Sequence, residues 1–273
     1  MSHVMKVVVK VINSIKNNPL KHRQFQEYLR KLESEYGDII YYTEIRWLSR
    51  GNCLLRFWRL TEEIKTFVNN NGHNISELSD DQWLLDLCLL TDITMKPNEL
   101  NQKLQGDNKL ITDCYQDIKA FVAKLQLYEH QLRSNNLIHF PLLNDYKSDH
   151  KNLFKYSTEI GKLFEEFNTR FSYIQKFEEM FAIFLAPFNA EVDSAPPNLQ
   201  MELIELQSSI ELKSPCERNK IEYYQKYILE DKFPNLKQLA MRIISTFGTT
   251  YRCESFFFQI KPGKNKVSQQ VAR

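Results

Sequence analysis

The chain has 273 residues, 42% of them apolar and 26% charged, with a formal net charge of +2, which excludes wholesale disorder and a single-sign polyelectrolyte. Only 7 Gly and 9 Pro occur, too sparse a punctuation for a many-stranded fold, and 18 Phe with 13 Tyr call for a large core. No apolar run is long enough to span a bilayer, and Lys6 and Lys10 interrupt the apolar N-terminal stretch as they would not in a secretory signal, so a soluble, intracellular protein is expected.

The five cysteines, Cys53, Cys88, Cys114, Cys216 and Cys253, are odd in number and widely spaced, which reads as reduced core thiols rather than a disulfide framework or a structural zinc site. Charge is uneven along the chain. Residues 1–70 hold 12 Lys/Arg against 7 Asp/Glu and residues 235–273 hold 7 against 1, so the segment between them carries a net −9. Basic ends around an acidic body suggest two polar surfaces, and basic surface attracts phosphate; ordinary solvated helix faces explain the same pattern.

Val4, Val8, Val11, Ile12 and Ile15 recur at helical spacing, with Pro19 as the stop. A second helix is predicted from Leu20 to Glu35, closed by Gly37, and a third from Leu48 to about Asn69 with Leu55, Trp58, Ile64 and Phe67 inward. Asp80 is placed to cap a helix that continues past Pro97 to Leu104. Ile118, Phe121, Val122, Leu125 and Leu132 mark another apolar face. One long helix is predicted over about 144–185, carrying a phenylalanine stripe that reads as core. Leu199 to Gln207, Glu217 to Glu230 and Leu236 through Phe247 complete the series, the last resuming through Cys253 to Ile260.

The usual catalytic signatures are missing: no G-x-S-x-G, G-x-G-x-x-G, P-loop or H-E-x-x-H occurs, and no two of the histidines share a helix face at metal-binding spacing. No cofactor and no metal site is expected. Three segments stand out instead. They are Thr43-Glu44-Ile45-Arg46-Trp47-Leu48-Ser49-Arg50-Gly51, the stretch Ala195-Pro196-Pro197-Asn198-Leu199-Gln200-Met201-Glu202-Leu203-Ile204-Glu205-Leu206-Gln207, and Phe233-Pro234-Asn235-Leu236 running on to Ser245 through Phe258.

In this order and separation they resemble the hAT family of DNA transposases and their domesticated relatives. The likeness is strongest to the transposase-like tails of general transcription factor II-I repeat domain-containing proteins, and extends to BED-type zinc-finger relatives. The resemblance implies a mainly α fold: a helical insertion domain over 1–232, then a truncated remnant of the RNase-H-like C-terminal and dimerisation segment over 233–273. In the family two Asp and one Glu hold paired metal ions for strand transfer. Glu254 matches the Glu, while the positions of both Asp would precede Met1, so a relic rather than a working catalytic residue is expected and no enzyme activity is predicted.

Arg46, Trp47 and Arg50 are the DNA-binding candidates that the resemblance suggests, Trp47 by stacking on a base; a Trp anchoring an interhelical loop is the alternative. Glu254 has its own alternative, a carboxylate paired with Arg252 or a nearby Lys. Phe247, Tyr251, Phe256, Phe257 and Phe258 are the dimerisation candidates, because consecutive phenylalanines point to different sides of a helix and one side needs cover. The expected role is a nuclear, non-catalytic protein-interaction or dimerisation module, its partner a protein or a second copy, with DNA through the basic ends and no membrane. The alternative is a transposase fragment that acts only with a partner supplying the missing Asp residues.

Overall fold

A computed structural model describes residues 1–42, 47–72, 75–106, 109–146, 153–216 and 219–246, the side chains of 47–49 excepted. Among the described residues there are thirteen α-helices and no β-strand, the mainly α class the periodicity predicts. The chain divides into two compact units, one of residues 1–101 and 125–162, the other of 102–124 and the chain from 163 onward.

In the first unit α1 (Ser2–Lys16) buries Val4, Val8, Val11, Ile12 and Ile15. α2 (Pro19–Lys31) starts one residue before the expected Leu20. Pro19 occupies the first turn, and Asn18 Oδ1 accepts from the amides of Leu20 and Lys21 at 3.0 and 3.1 Å. Its end differs from expectation. Gly37 is not the cap; Glu33 takes a left-handed φ of +50°, with Ser34 N donating to Leu29 O and Glu33 N to Arg30 O. That is a Schellman closure four residues before Gly37, and it frees the following residues to form the connector described below.

The helix expected over 48–69 is broken into α3 (Trp47–Arg59) and α4 (Thr61–Asn70). Thr61 Oγ1 donates to Phe57 O at 3.1 Å, and such back-bonding into the previous turn bends a helix. Leu60 stays fully buried through the break, so Phe57, Leu60, Ile64 and Phe67 remain one apolar face although the backbone is interrupted. Leu55 and Trp58, predicted inward, are only half-buried; Trp58 instead meets Tyr146 edge-on at 5.6 Å.

α5 (Asp81–Leu104) is capped by Asp80, whose Oδ1 accepts from Gln82 N at 2.9 Å, and runs on through Pro97. α6 (Ile111–Arg133) ends on Asn135 at φ +54°. The single long helix predicted over 144–185 is instead three: α7 (Pro141–Asp145), α8 (Phe154–Gln175) and α9 (Glu178–Leu185). α7 starts where the amides of Leu142 and Leu143 donate to the Asp92 carboxylate of α5 at 3.3 and 3.1 Å, and it stops at Tyr146, whose ψ of 110° is extended. α8 stops where the amides of Lys176 and Phe177 bond three residues back rather than four, tightening the last turn. A core cluster of this unit is built from α1 to α5 and includes Phe25 edge-on to Phe67 at 5.0 Å.

The second unit has its own core, around α9, α10 (Pro197–Gln207), α12 (Lys220–Lys226) and α13 (Pro234–Ser245), with α11 (Ile210–Cys216) beside them. Phe184 stacks on Tyr224 at 4.9 Å, and Tyr224 Oη donates to Phe184 O at 3.1 Å, which lets a fully buried phenol keep a partner. α12 is shorter than the helix expected from Glu217, since Asn219 caps it by accepting from Ile221 N and Glu222 N. The phenylalanine stripe is core only in part. Phe181 and Phe184 are buried, whereas Phe164, Phe167 and Phe171 are half-buried. None of the described helices is long and apolar enough to cross a membrane.

Candidate functional surface

The segment between α2 and α3, which the sequence marks only as a short connector, is latched down by cations. Arg56 reaches back from α3, lies 4.0 Å over the Tyr36 ring and donates to Asp38 O at 2.9 Å. Lys16 of α1 stands 4.4 Å from the Tyr41 ring and 3.1 Å from Asp38, with only 9% of its side chain exposed. His22 and Gln26 of α2 meet the same Asp38 oxygen at 2.8 and 3.2 Å. Burial opposes the charge on Asp38, but the hydrogen bonds of His22 and Lys16 outweigh it and hold the carboxyl below the ordinary carboxylate range.

Arg50 belongs to this latch. Its Nη2 donates to Tyr42 Oη at 2.8 Å, and the guanidinium lies 5.7 Å from that ring. Of the three DNA-binding candidates it is the one whose side chain is described, and it is half-buried. Trp47 opens α3, while Arg46 lies outside the described residues. Gly51, one residue further, is fixed by packing: a Cβ there would overlap Asn98 Nδ2 and come within 2.9 Å of Met95 Sδ on α5. The latch residues Tyr36, Asp38, Tyr41 and Tyr42 escaped the sequence reading; the available signal was three tyrosines in seven residues flanked by basic helices.

Among the described residues two carboxylates are buried, Asp86 and Asp92, and the fold's own donors hold both. Asp86 accepts from Tyr156 Oη at 2.6 Å and Gln82 Nε2 at 3.1 Å, pairs with Lys155 at 3.1 Å, and meets His3 Nε2 at 2.8 Å. Burial raises its pKa, yet Tyr156, Lys155 and His3 together bring it below the ordinary value. Asp92, with backbone amides as its donors, is pushed by burial up to about 6. Burial raises the thiols of Cys53, to about 11, and of Cys88 and Cys114, keeping them protonated. Among the described residues no group of three or more His, Cys, Asp or Glu converges as metal ligands.

Two of the three sequence motifs meet in the second unit. Glu202 of α10 accepts from Asn235 N at 2.9 Å, Asn235 Nδ2 at 2.6 Å and Leu236 N at 2.8 Å, capping α13 from outside. Asn198 of α10 adds a bond to Asn235 Oδ1 at 3.3 Å. The motif's later part, with Phe247, Tyr251, Glu254, Phe256, Phe257 and Phe258, lies outside the described residues.

Residues 1–133 match the family described as the FAM200/GTF2IRD2 helical domain. The chain is also similar along its whole length to a curated protein, general transcription factor II-I repeat domain-containing protein 2. It is 38% identical to the Bos taurus protein over 271 residues, covering 99% of this chain and 28% of that one. The Mus musculus protein is 36% identical over 272 residues, covering all of this chain and 29% of its own length. The chain thus spans less than a third of the relatives it matches. No solved structure matches.

Proposed function

We propose that the chain is a non-catalytic, transposase-derived helical module of nuclear proteins that works by binding protein, a second copy of itself included. In this reading residues 1–232 correspond to the helical insertion of an hAT transposase and residues 233–273 to a remnant of its RNase-H-like dimerisation segment. The observation that carries it is the use of the buried carboxylates: Asp86 and Asp92 are occupied by the fold's own donors, as befits a scaffold. Similarity along the whole of this chain to part of proteins named for transcription-factor repeats supports the nuclear setting.

DNA binding is the second reading, favoured by the basic terminal segments. Against it, Lys16, Arg50 and Arg56 of the first segment are engaged in the connector latch. Light scattering with and without duplex DNA, at low and high salt, tests both. A salt-insensitive dimer without DNA, dissociated by Phe256→Asp/Phe258→Asp, is the expected result. A clean monomer at tens of micromolar defeats self-association, and salt-dependent association with duplex favours the second reading. Metal-dependent nicking abolished by Glu254→Gln would overturn the non-catalytic assignment.

A further inference from the structure

Where α11 gives way to α12, three reactive side chains come together. Lys220 Nζ lies 3.2 Å from Cys216 Sγ and is held there by donating to Cys216 O at 2.6 Å. The Cys216 side is buried, with 4% of the residue exposed, while Lys220 is half-exposed, so the sulfur lies one side chain beneath solvent. A third group packs its ring in the core against Tyr224 and Tyr227 but leaves its hydroxyl unused. Tyr223 is 1% exposed, yet its hydroxyl has no hydrogen-bond partner among the described residues. Cys216 is the neighbour whose charge bears most on that phenol after burial itself. An orphan buried hydroxyl is costly in a finished core, and one beside a sulfur is placed to donate to an oxygen added there.

Among the described residues no other cysteine sulfur stands in hydrogen-bond contact with an amine: Cys53 Sγ meets the carbonyl of Ile40. We propose that Cys216 and Lys220 form a redox-sensitive pair that closes a reversible sulfur–nitrogen bond when a hydroperoxide oxidises the thiol. In the first step the sulfur attacks one peroxide oxygen. The S–O bond forms, the O–O bond breaks, and the thiol proton leaves with the alcohol or water released, giving the sulfenic acid. The Tyr223 hydroxyl gains the acceptor it lacks. In the second step the Lys220 amine, already in place, attacks the sulfur. The S–N bond forms, the S–O bond breaks, and the hydroxyl departs as water with a proton from nitrogen. The peroxide is reduced by two electrons and the Cys–Lys pair oxidised by two. A thiol reductant reverses the bond, and the link staples the end of α11 to the start of α12.

The test uses the full chain, treated with hydrogen peroxide and digested with trypsin without reduction. Cleavage after Arg218 separates the peptide carrying Cys216 from that carrying Lys220. The expected product is the two joined with a net loss of two hydrogen atoms, no cleavage after Lys220, and release by dithiothreitol. Lys220→Arg, which keeps a donor beside the sulfur, should leave a trappable sulfenic acid on Cys216 and no link. Tyr223→Phe should slow the first step by several-fold without preventing the link. Wild-type chain that ends as unlinked sulfenic acid, as a disulfide to another cysteine, or with Cys216 untouched overturns the proposal.

Discussion

Glu202 and Asn235, 33 residues apart, form the cap that starts α13: one carboxylate accepts both the backbone and the side-chain nitrogen of Asn235 and the amide of Leu236. Phe233 supplies no capping side chain of its own, so the last described helix begins on a group that α10 provides. The two sequence motifs are therefore one structural unit.

Replacing that carboxylate should be felt locally. Glu202→Ala leaves two amides of a partly buried helix start without acceptors, and a destabilisation of about 1–2 kcal/mol is expected. Urea unfolding followed by helical signal, with hydrogen exchange at Leu236, measures it. A shift within roughly 0.5 kcal/mol, typical of surface changes, would show that water replaces the cap.

Asp92 sets a pH dependence with an unusual sign. Its folded pKa of about 6 lies above the ordinary value of 3.8, so between about pH 4 and 6 the folded chain binds the extra proton. Stability from this residue therefore rises as pH falls through that window and is lost as pH rises through it, by up to about 2–3 kcal/mol. Lys96 favours the charge and Asp145 opposes it, so neither removes the effect. Asp92→Asn should flatten this part of the profile; a wild-type curve parallel to that of the variant across pH 4–6 would contradict the assignment.

Asp86 behaves in the opposite way. Its carboxyl is held below the ordinary range, so its contribution is complete above that range and disappears as pH falls through the folded pKa. Tyr156→Phe removes the shortest of its hydrogen bonds and leaves a buried charge under-solvated, for an expected loss of about 1.5–3 kcal/mol at neutral pH. The loss should shrink in acid, where Asp86 is protonated in both forms. Equal destabilisation at neutral pH and at an acid pH below the folded pKa of Asp86 would mean that packing, not the charge, is responsible.

Gly51 tests the crossing of α3 over α5. Gly51→Val drives a branched side chain into Asn98 and Met95, and about 1–3 kcal/mol of destabilisation is expected despite the better helix propensity of Val. Thermal unfolding decides it; a Tm at or above wild type would show that Met95 and Asn98 move aside freely.

By itself the sequence determined the helical class, the buried face of α1, the Asp80 start of α5 and the end of α10. These are local: apolar residues at 3.6-residue spacing and caps within three residues of the amides they serve. It also singled out the two C-terminal motifs whose described parts meet in the second unit. Tertiary structure alone decided the rest. The expected helix over 144–185 instead has an α7 that begins at Pro141, where Asp92, some 50 residues upstream, takes its first amides, and an α8 that ends before Phe177. The helix over 48–69 breaks because Thr61 bonds back to Phe57. Arg50 finds Tyr42 across a connector with no periodicity to read. A carboxylate that serves amides 33 or 50 residues away leaves no spacing pattern, since its partners are chosen by packing of the two cores rather than by neighbours along the chain.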